Sequence, residues 1–166
     1  MGNNLEINPI DKKEAICTLL QSLNCSYEIH TSGSDKEYAY LQEQDICITV
    51  LHSNRDYPLY IDLENEGEFT LSYYKWHAHY FNVEWDYNQL CQDLADILNN
   101  RKCVVVISSS ERWLRSALSE TKLDKNYNVQ NDIKELSKEA QTEIKELKGT
   151  VELFYWDIKE NLIINL

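Results

Sequence analysis

The chain is poor in residues that loosen a backbone. Its 166 residues include only four glycines and two prolines, which excludes long linkers and low-complexity tracts. No apolar run approaches the ~18 residues that a membrane-spanning helix needs. The opening residues, from Met1 to Glu6, lack the basic and apolar regions of a signal peptide. Met1-Gly2 has the form of a myristoylation start, but Glu6 stands where serine or threonine is required. The cysteines are odd in number, at Cys17, Cys25, Cys47, Cys91 and Cys103, with no Cys-x-x-Cys spacing. They read as free thiols acting as small buried hydrophobes in a reducing compartment, and the expected location is the cytoplasm.

Positive charge is the other scarcity. Sixteen basic side chains stand against 28 acidic ones, a net charge of -12. Such a field repels phosphate backbones and anionic lipid, so neither nucleic acid nor membrane is an expected partner. It speeds the approach of a basic protein. The length fits one domain over 1–166, large enough to bury about 70% of its unfolded surface.

Taken in order, Asp11–Leu23 reads as a helix, with Asp11 and Glu14 as a capping box and Ile16, Leu19, Leu20 and Leu23 as its stripe. Strands are expected at Ser26–Thr31, Glu37–Leu41 and Asp45–His52. Tyr57–Leu63 and Phe69–Tyr74 read as a hairpin whose loop carries Gly67, the residue able to take positive φ. Asp86–Leu98 is a second helix, capped by Asp86 and Gln89 and stapled by Trp85 and Leu90. Lys102–Ser108 is a β-branched central strand, Ser108–Glu111 a turn and Arg112–Leu118 the returning strand. After the polar connection Thr121–Gln130 comes a third helix, Asn131–Leu147, closed by Gly149. Thr150–Trp156 and Leu162–Asn165 form a last hairpin. Hairpins interrupted by single helices imply an α+β fold, an antiparallel sheet with about three helices packed mainly on one face.

Phe69–Phe81 carries the densest cluster of aromatics and histidines. His77 and His79 are spaced to share one face of a strand, so both imidazoles have the spacing to meet one metal ion, with Glu84 or Asp86 completing the site. Two ligands fix half of a site, so neither a metal nor another cofactor is expected. A straight strand would turn both histidines toward the face of Phe69, Leu71 and Tyr73, and a bulge near Lys75-Trp76 would turn them outward. Trp76, Tyr80, Phe81, Trp85 and Trp113 form either core or a recognition patch. Arg112 beside Trp113 is suited to a carboxylate. The run Ser108-Ser109-Ser110 lacks a nucleophile elbow. A partner-contact set follows: Trp76, His77, His79, Tyr80, Glu84, Asp86, Arg112 and Trp113.

One pattern goes further. A Phe-Thr-Leu strand leads into Trp76-His77-Ala78-His79-Tyr80-Phe81. A helix ending Asp96-Ile97-Leu98 follows, then a valine-rich strand, then Arg112-Trp113-Leu114 and Ser116. This resembles small uncharacterised bacterial proteins with a Trp-His-x-His-aromatic motif, which look like the immunity partners of polymorphic or contact-dependent toxins. The resemblance implies a cytosolic protein that neutralises a toxin domain by direct contact, and it brings no catalytic residues. A binding role is thus preferred over an enzyme. The alternatives are a metal-dependent hydrolase using His77 and His79 with Glu84, and an interaction domain without a toxin partner.

Overall fold

The computed structural model describes residues 6–52, 56–110, 112–120 and 130–166. The readings that fall on the opening residues, on Glu111 and on most of the connection after Thr121 lie outside them. The class is α+β, and the strands form two antiparallel sheets where one was expected. Contacts gather the chain into two compact units, Met1–Ala95 and Asp96–Leu166.

The first unit begins with a 3-10 turn, Pro9–Lys12, running into helix α1 (Lys13–Ser22). Asn8, not Asp11, caps this entry, its side chain accepting from the Ile10 amide. Ile16 and Leu20 are fully buried, and Asn24 ends the helix at φ 56. A five-stranded meander follows in sequence order: β1 (Tyr27–Thr31), β2 (Ile46–Val50), β3 (Leu59–Leu63), β4 (Phe69–Tyr73) and β5 (Trp76–Tyr80). The alternation in β3 and β4 places Leu59, Ile61, Leu63, Phe69, Leu71 and Tyr73 on one buried face. Ile48 and Val50 of β2 and Tyr80 of β5 extend it. In the β3–β4 loop it is Glu66, at φ 59, that takes the left-handed conformation expected of Gly67.

Glu37–Leu41 is not a strand. Asp35 accepts from the Lys36 amide at 2.5 Å and starts a 3-10 turn over Lys36–Tyr38. Spacing of three, not two, then buries Tyr38 and Leu41 together over Cys47. This segment covers part of the sheet face opposite the main core. The buried carboxylate of Asp45 ties it to the β3–β4 loop, accepting from the Gln42 amide at 2.8 Å and the Asn65 amide at 2.9 Å.

Helix α2 (Glu84–Leu98) starts two residues earlier than its pattern suggested, and the boundary between the units falls in its last turn. The Val83 carbonyl accepts from the Tyr87 amide at 3.0 Å, so the helix starts from Val83 and the expected capping box is not made. Asp86 reaches back to the Phe81 amide at 2.8 Å, while Gln89 donates to Asp93 at 3.1 Å. Trp85 is 69% exposed and no staple. Tyr87 turns inward to meet the Phe69 ring at 5.6 Å.

The second unit holds a four-stranded sheet in the order β7-β6-β8-β9: β6 (Cys103–Ser109), β7 (Trp113–Ser119), β8 (Gly149–Phe154) and β9 (Leu162–Asn165). The expected third helix is two, α3 (Gln130–Lys134) and α4 (Lys138–Leu147). Ser137 breaks the run because its hydroxyl caps α4, accepting from the Ala140 amide at 3.2 Å. Leu136, Ala140 and Ile144 pack with Val105, Ile107, Val151 and Leu153.

Lys148, at φ 61, takes the left-handed position expected of Gly149. Gly149 is needed for space: a Cβ there would lie 3.0 Å from the Ser108 carbonyl oxygen and 3.2 Å from Ile144 Cγ2. Gly149→Ala is expected to cost about 1–3 kcal/mol by overpacking. Urea unfolding measures it, and a neutral or stabilising effect would contradict this reading of the contact. All five cysteines are free, with Cys25 and Cys91 only half-buried. Among the described residues no helix is long and apolar enough to cross a membrane.

Candidate functional site

The reversal between β4 and β5 decides where the histidines point. Tyr73 pairs with Trp76 across a turn at Tyr74-Lys75, with Tyr74 at φ 54. The expected bulge is therefore a complete turn of the chain. Antiparallel register then puts Ser72 opposite His77 and Thr70 opposite His79, on the face away from Phe69, Leu71 and Tyr73. Both imidazoles are exposed, with ring centroids 5.2 Å apart. His79 Nδ1 lies 2.6 Å from Glu68 Oε1 and 3.2 Å from the Thr70 hydroxyl.

The same register builds two rows of mostly polar side chains across the sheet. One runs Glu28, Thr49, Tyr60, Ser72, His77; the other runs His30, Cys47, Asp62, Thr70, His79. Tyr38 covers one end, stacking on His30 at 3.8 Å and meeting the Thr49 hydroxyl at 3.1 Å. Cys47 is no nucleophile here. Burial first, and then the Asp62 carboxylate, push its thiol up to about 12, so it stays protonated at neutral pH. Among the described residues no group of three or more His, Cys, Asp or Glu side chains is placed to hold a metal ion. Glu84 instead pairs with Lys12 at 3.1 Å, and the same ammonium lies 4.5 Å from the centre of the Tyr87 ring.

The remaining members of the contact set divide between the two units. Trp76 is half-buried on the core side of β5. Tyr80 is buried, and its hydroxyl donates to Asp93 at 2.8 Å. In the second unit the Arg112 guanidinium grips Glu143, with Nε 3.1 Å and Nη2 2.5 Å from Oε2. Ser109 donates to the same carboxylate at 2.6 Å. These donors, Arg112 first, hold the Glu143 carboxyl below its ordinary range and occupy the charge that was to meet a partner. Trp113 is 57% exposed.

Two aromatics that the sequence left open between core and recognition patch, and outside the contact set, are exposed: Phe81 at 70% and Trp85 at 69%. They flank β5 and the first turn of α2, beside Glu84 and Asp86. The signal for Trp85 lay in helical spacing, since Asn88, Gln89 and Gln92 share its stripe. No protein-family model matches the chain, and no curated protein and no solved structure matches it.

The buried phenols also give the first unit an alkaline limit. Burial, and then Asp93, push the Tyr80 hydroxyl above its ordinary value, and burial does the same to Tyr73 and Tyr87. A raised folded value contributes stability that is complete below the unfolded value near ~10 and is lost as pH rises above it. Tyr80→Phe is expected to cost about 1–3 kcal/mol at neutral pH, because Asp93 loses a donor. The gap to the parent should narrow above pH ~10, where only the parent has this hydroxyl to ionise on unfolding. Urea midpoints across pH measure this, and a gap that stays constant would refute it.

Proposed function

We propose that the protein is an immunity-type binding module that neutralises a basic toxin domain in the cytoplasm by direct contact. The observation that carries this reading is the exposure of Phe81 and Trp85 beside Glu84 and Asp86. Large aromatics held out in water are costly unless a partner covers them, and such residues dominate binding energy where they are buried in an interface. The carboxylates around them, within a chain of net charge -12, steer a basic partner toward that surface. Exposed His77 and His79 lie on the neighbouring strand and enlarge the polar rim. The contact centre thus moves from Trp76 and Tyr80 to Phe81 and Trp85, while Arg112, already held by Glu143, leaves the set.

Growth tests the reading. Cells making a candidate basic toxin domain are expected to grow when the protein is co-produced and to arrest without it. Arrest in both cases would remove the neutralising role and favour an interaction domain with another partner.

A further inference from the structure

The polar face of the first sheet is not flat. Where the Lys36–Tyr38 turn passes over β3, a cleft of about 270 Å³ opens, lined by Glu37, Tyr38, Tyr40, Tyr60, Asp62 and Ser72. Its volume lies below the range of ~300–1,000 Å³ for small-molecule pockets, so it suits one side chain and not a larger ligand. Three phenol rings stand around it. The Tyr40 hydroxyl donates to Asp62 Oδ1 at 2.8 Å, and the Tyr60 hydroxyl donates to Glu37 Oε1 at 3.1 Å. Burial, and then the paired carboxylate, keep both phenols neutral. Tyr60 is pushed up to about 12, by burial and then Glu37, and Tyr40 is raised likewise, by burial and then Asp62. Each hydroxyl takes one of the roughly four acceptor sites of a carboxylate, so Glu37 retains acceptor capacity, and so does Asp62, which also faces the Cys47 thiol. No lysine, arginine or histidine is among the residues that line the cleft. It therefore presents aromatic faces and two carboxylates to whatever enters, and no positive charge.

We propose that this cleft receives an arginine side chain from a protein partner. A guanidinium is planar, stacks on aromatic faces and carries five donors in a fixed fork. It is attracted by the ring quadrupoles of the tyrosines and by the carboxylates of Asp62 and Glu37. An ammonium is a more strongly hydrated point charge and makes poorer use of the flat walls. The arginine source rests on the partner-binding reading above, whereas the chemistry of the cleft stands apart from Phe81 and Trp85. Tyr40, at 58% exposure, forms the open lip, so an entering side chain needs no rearrangement of the core.

The test uses the full chain and N-acetyl-arginine amide, followed through the ring signals of Tyr40 and Tyr60 by NMR. N-acetyl-lysine amide and the uncharged isostere N-acetyl-citrulline amide are titrated alongside. The expected result is saturable shifts with a Kd on the order of 1–10 mM for the arginine probe. Lysine should bind more weakly and citrulline should not bind. Asp62→Asn should weaken the arginine probe about tenfold, the share of one charge-assisted hydrogen bond. Tyr40→Ala removes the exposed lip and should act in the same direction, and it decides the matter if Asp62→Asn fails to fold. Trp85→Ala should titrate like the parent. The proposal is overturned by no shift up to ~100 mM, by citrulline binding equally, or by folded variants that titrate unchanged. Any of these would leave the toxin-neutralising reading standing, because Phe81 and Trp85 carry that reading.

Discussion

Phe69→Ala is expected to remove about 3–5 kcal/mol of stability, the range for deleting a buried ring and leaving a cavity. Phe69 is fully buried between Leu63 and Tyr80 in the sheet register, and its ring meets Tyr87 of α2. It joins strand to helix, so neighbouring side chains cannot all close on the vacated space. Against a total of ~5–15 kcal/mol for an ordinary domain, such a loss brings the first unit close to its unfolding threshold. Phe81→Ala is the control with the same atoms removed. Phe81 is 70% exposed, so its loss should change stability by less than about 0.5 kcal/mol. Urea unfolding followed by far-UV circular dichroism separates the two. Equal losses would mean that the inward assignment of Phe69 and the outward one of Phe81 are wrong.

The parts of this fold that were legible in the sequence are those set by local period. Leu59, Ile61 and Leu63 alternate with Tyr60 and Asp62, and the alternation continues through Phe69, Leu71 and Tyr73 on the partner strand. Such a pattern has one buried register. The valine run at Cys103–Ser109 was legible as a central strand, and it is paired on both edges, by β7 and β8. Asn24 and Asn100 mark helix ends because asparagine tolerates positive φ, which both adopt.

What was not legible depended on residues acting against their type. Tyr74-Lys75 carries none of the Asn-Gly or Asp-Gly chemistry that marks two-residue turns, so the β4–β5 reversal was invisible in composition. Glu66 and Lys148 take positive φ beside glycines that do not, which moves each turn by one residue. The division of the strands into two sheets rests on pairings distant in sequence, which no period encodes. The candidate site suffered most from one boundary. Starting α2 at Glu84 and not at Asp86 turns Trp85 from a staple into an exposed residue, and frees Asp86 from the cap. Trp76 looked like the exposed tryptophan only while the turn before it was missing.

The largest expected effect on binding belongs to Phe81 and Trp85. An aromatic anchor buried at the centre of an interface costs ~2 kcal/mol or more when cut back to alanine, seen mainly as faster dissociation. A carboxylate at the rim changes the approach instead. Phe81→Ala and Trp85→Ala together should therefore weaken a partner by on the order of a thousandfold through the off-rate. Glu84→Gln should slow association and flatten its dependence on salt, with dissociation little changed. Both aromatics lie on the surface, so the double variant should unfold at the parent's urea midpoint. The decisive measurement is the binding kinetics of a candidate basic toxin domain against the parent and the double variant, at low and high salt. The account predicts a tight parent complex whose off-rate rises steeply in the double variant while its fold is intact. A folded double variant that dissociates like the parent would contradict it.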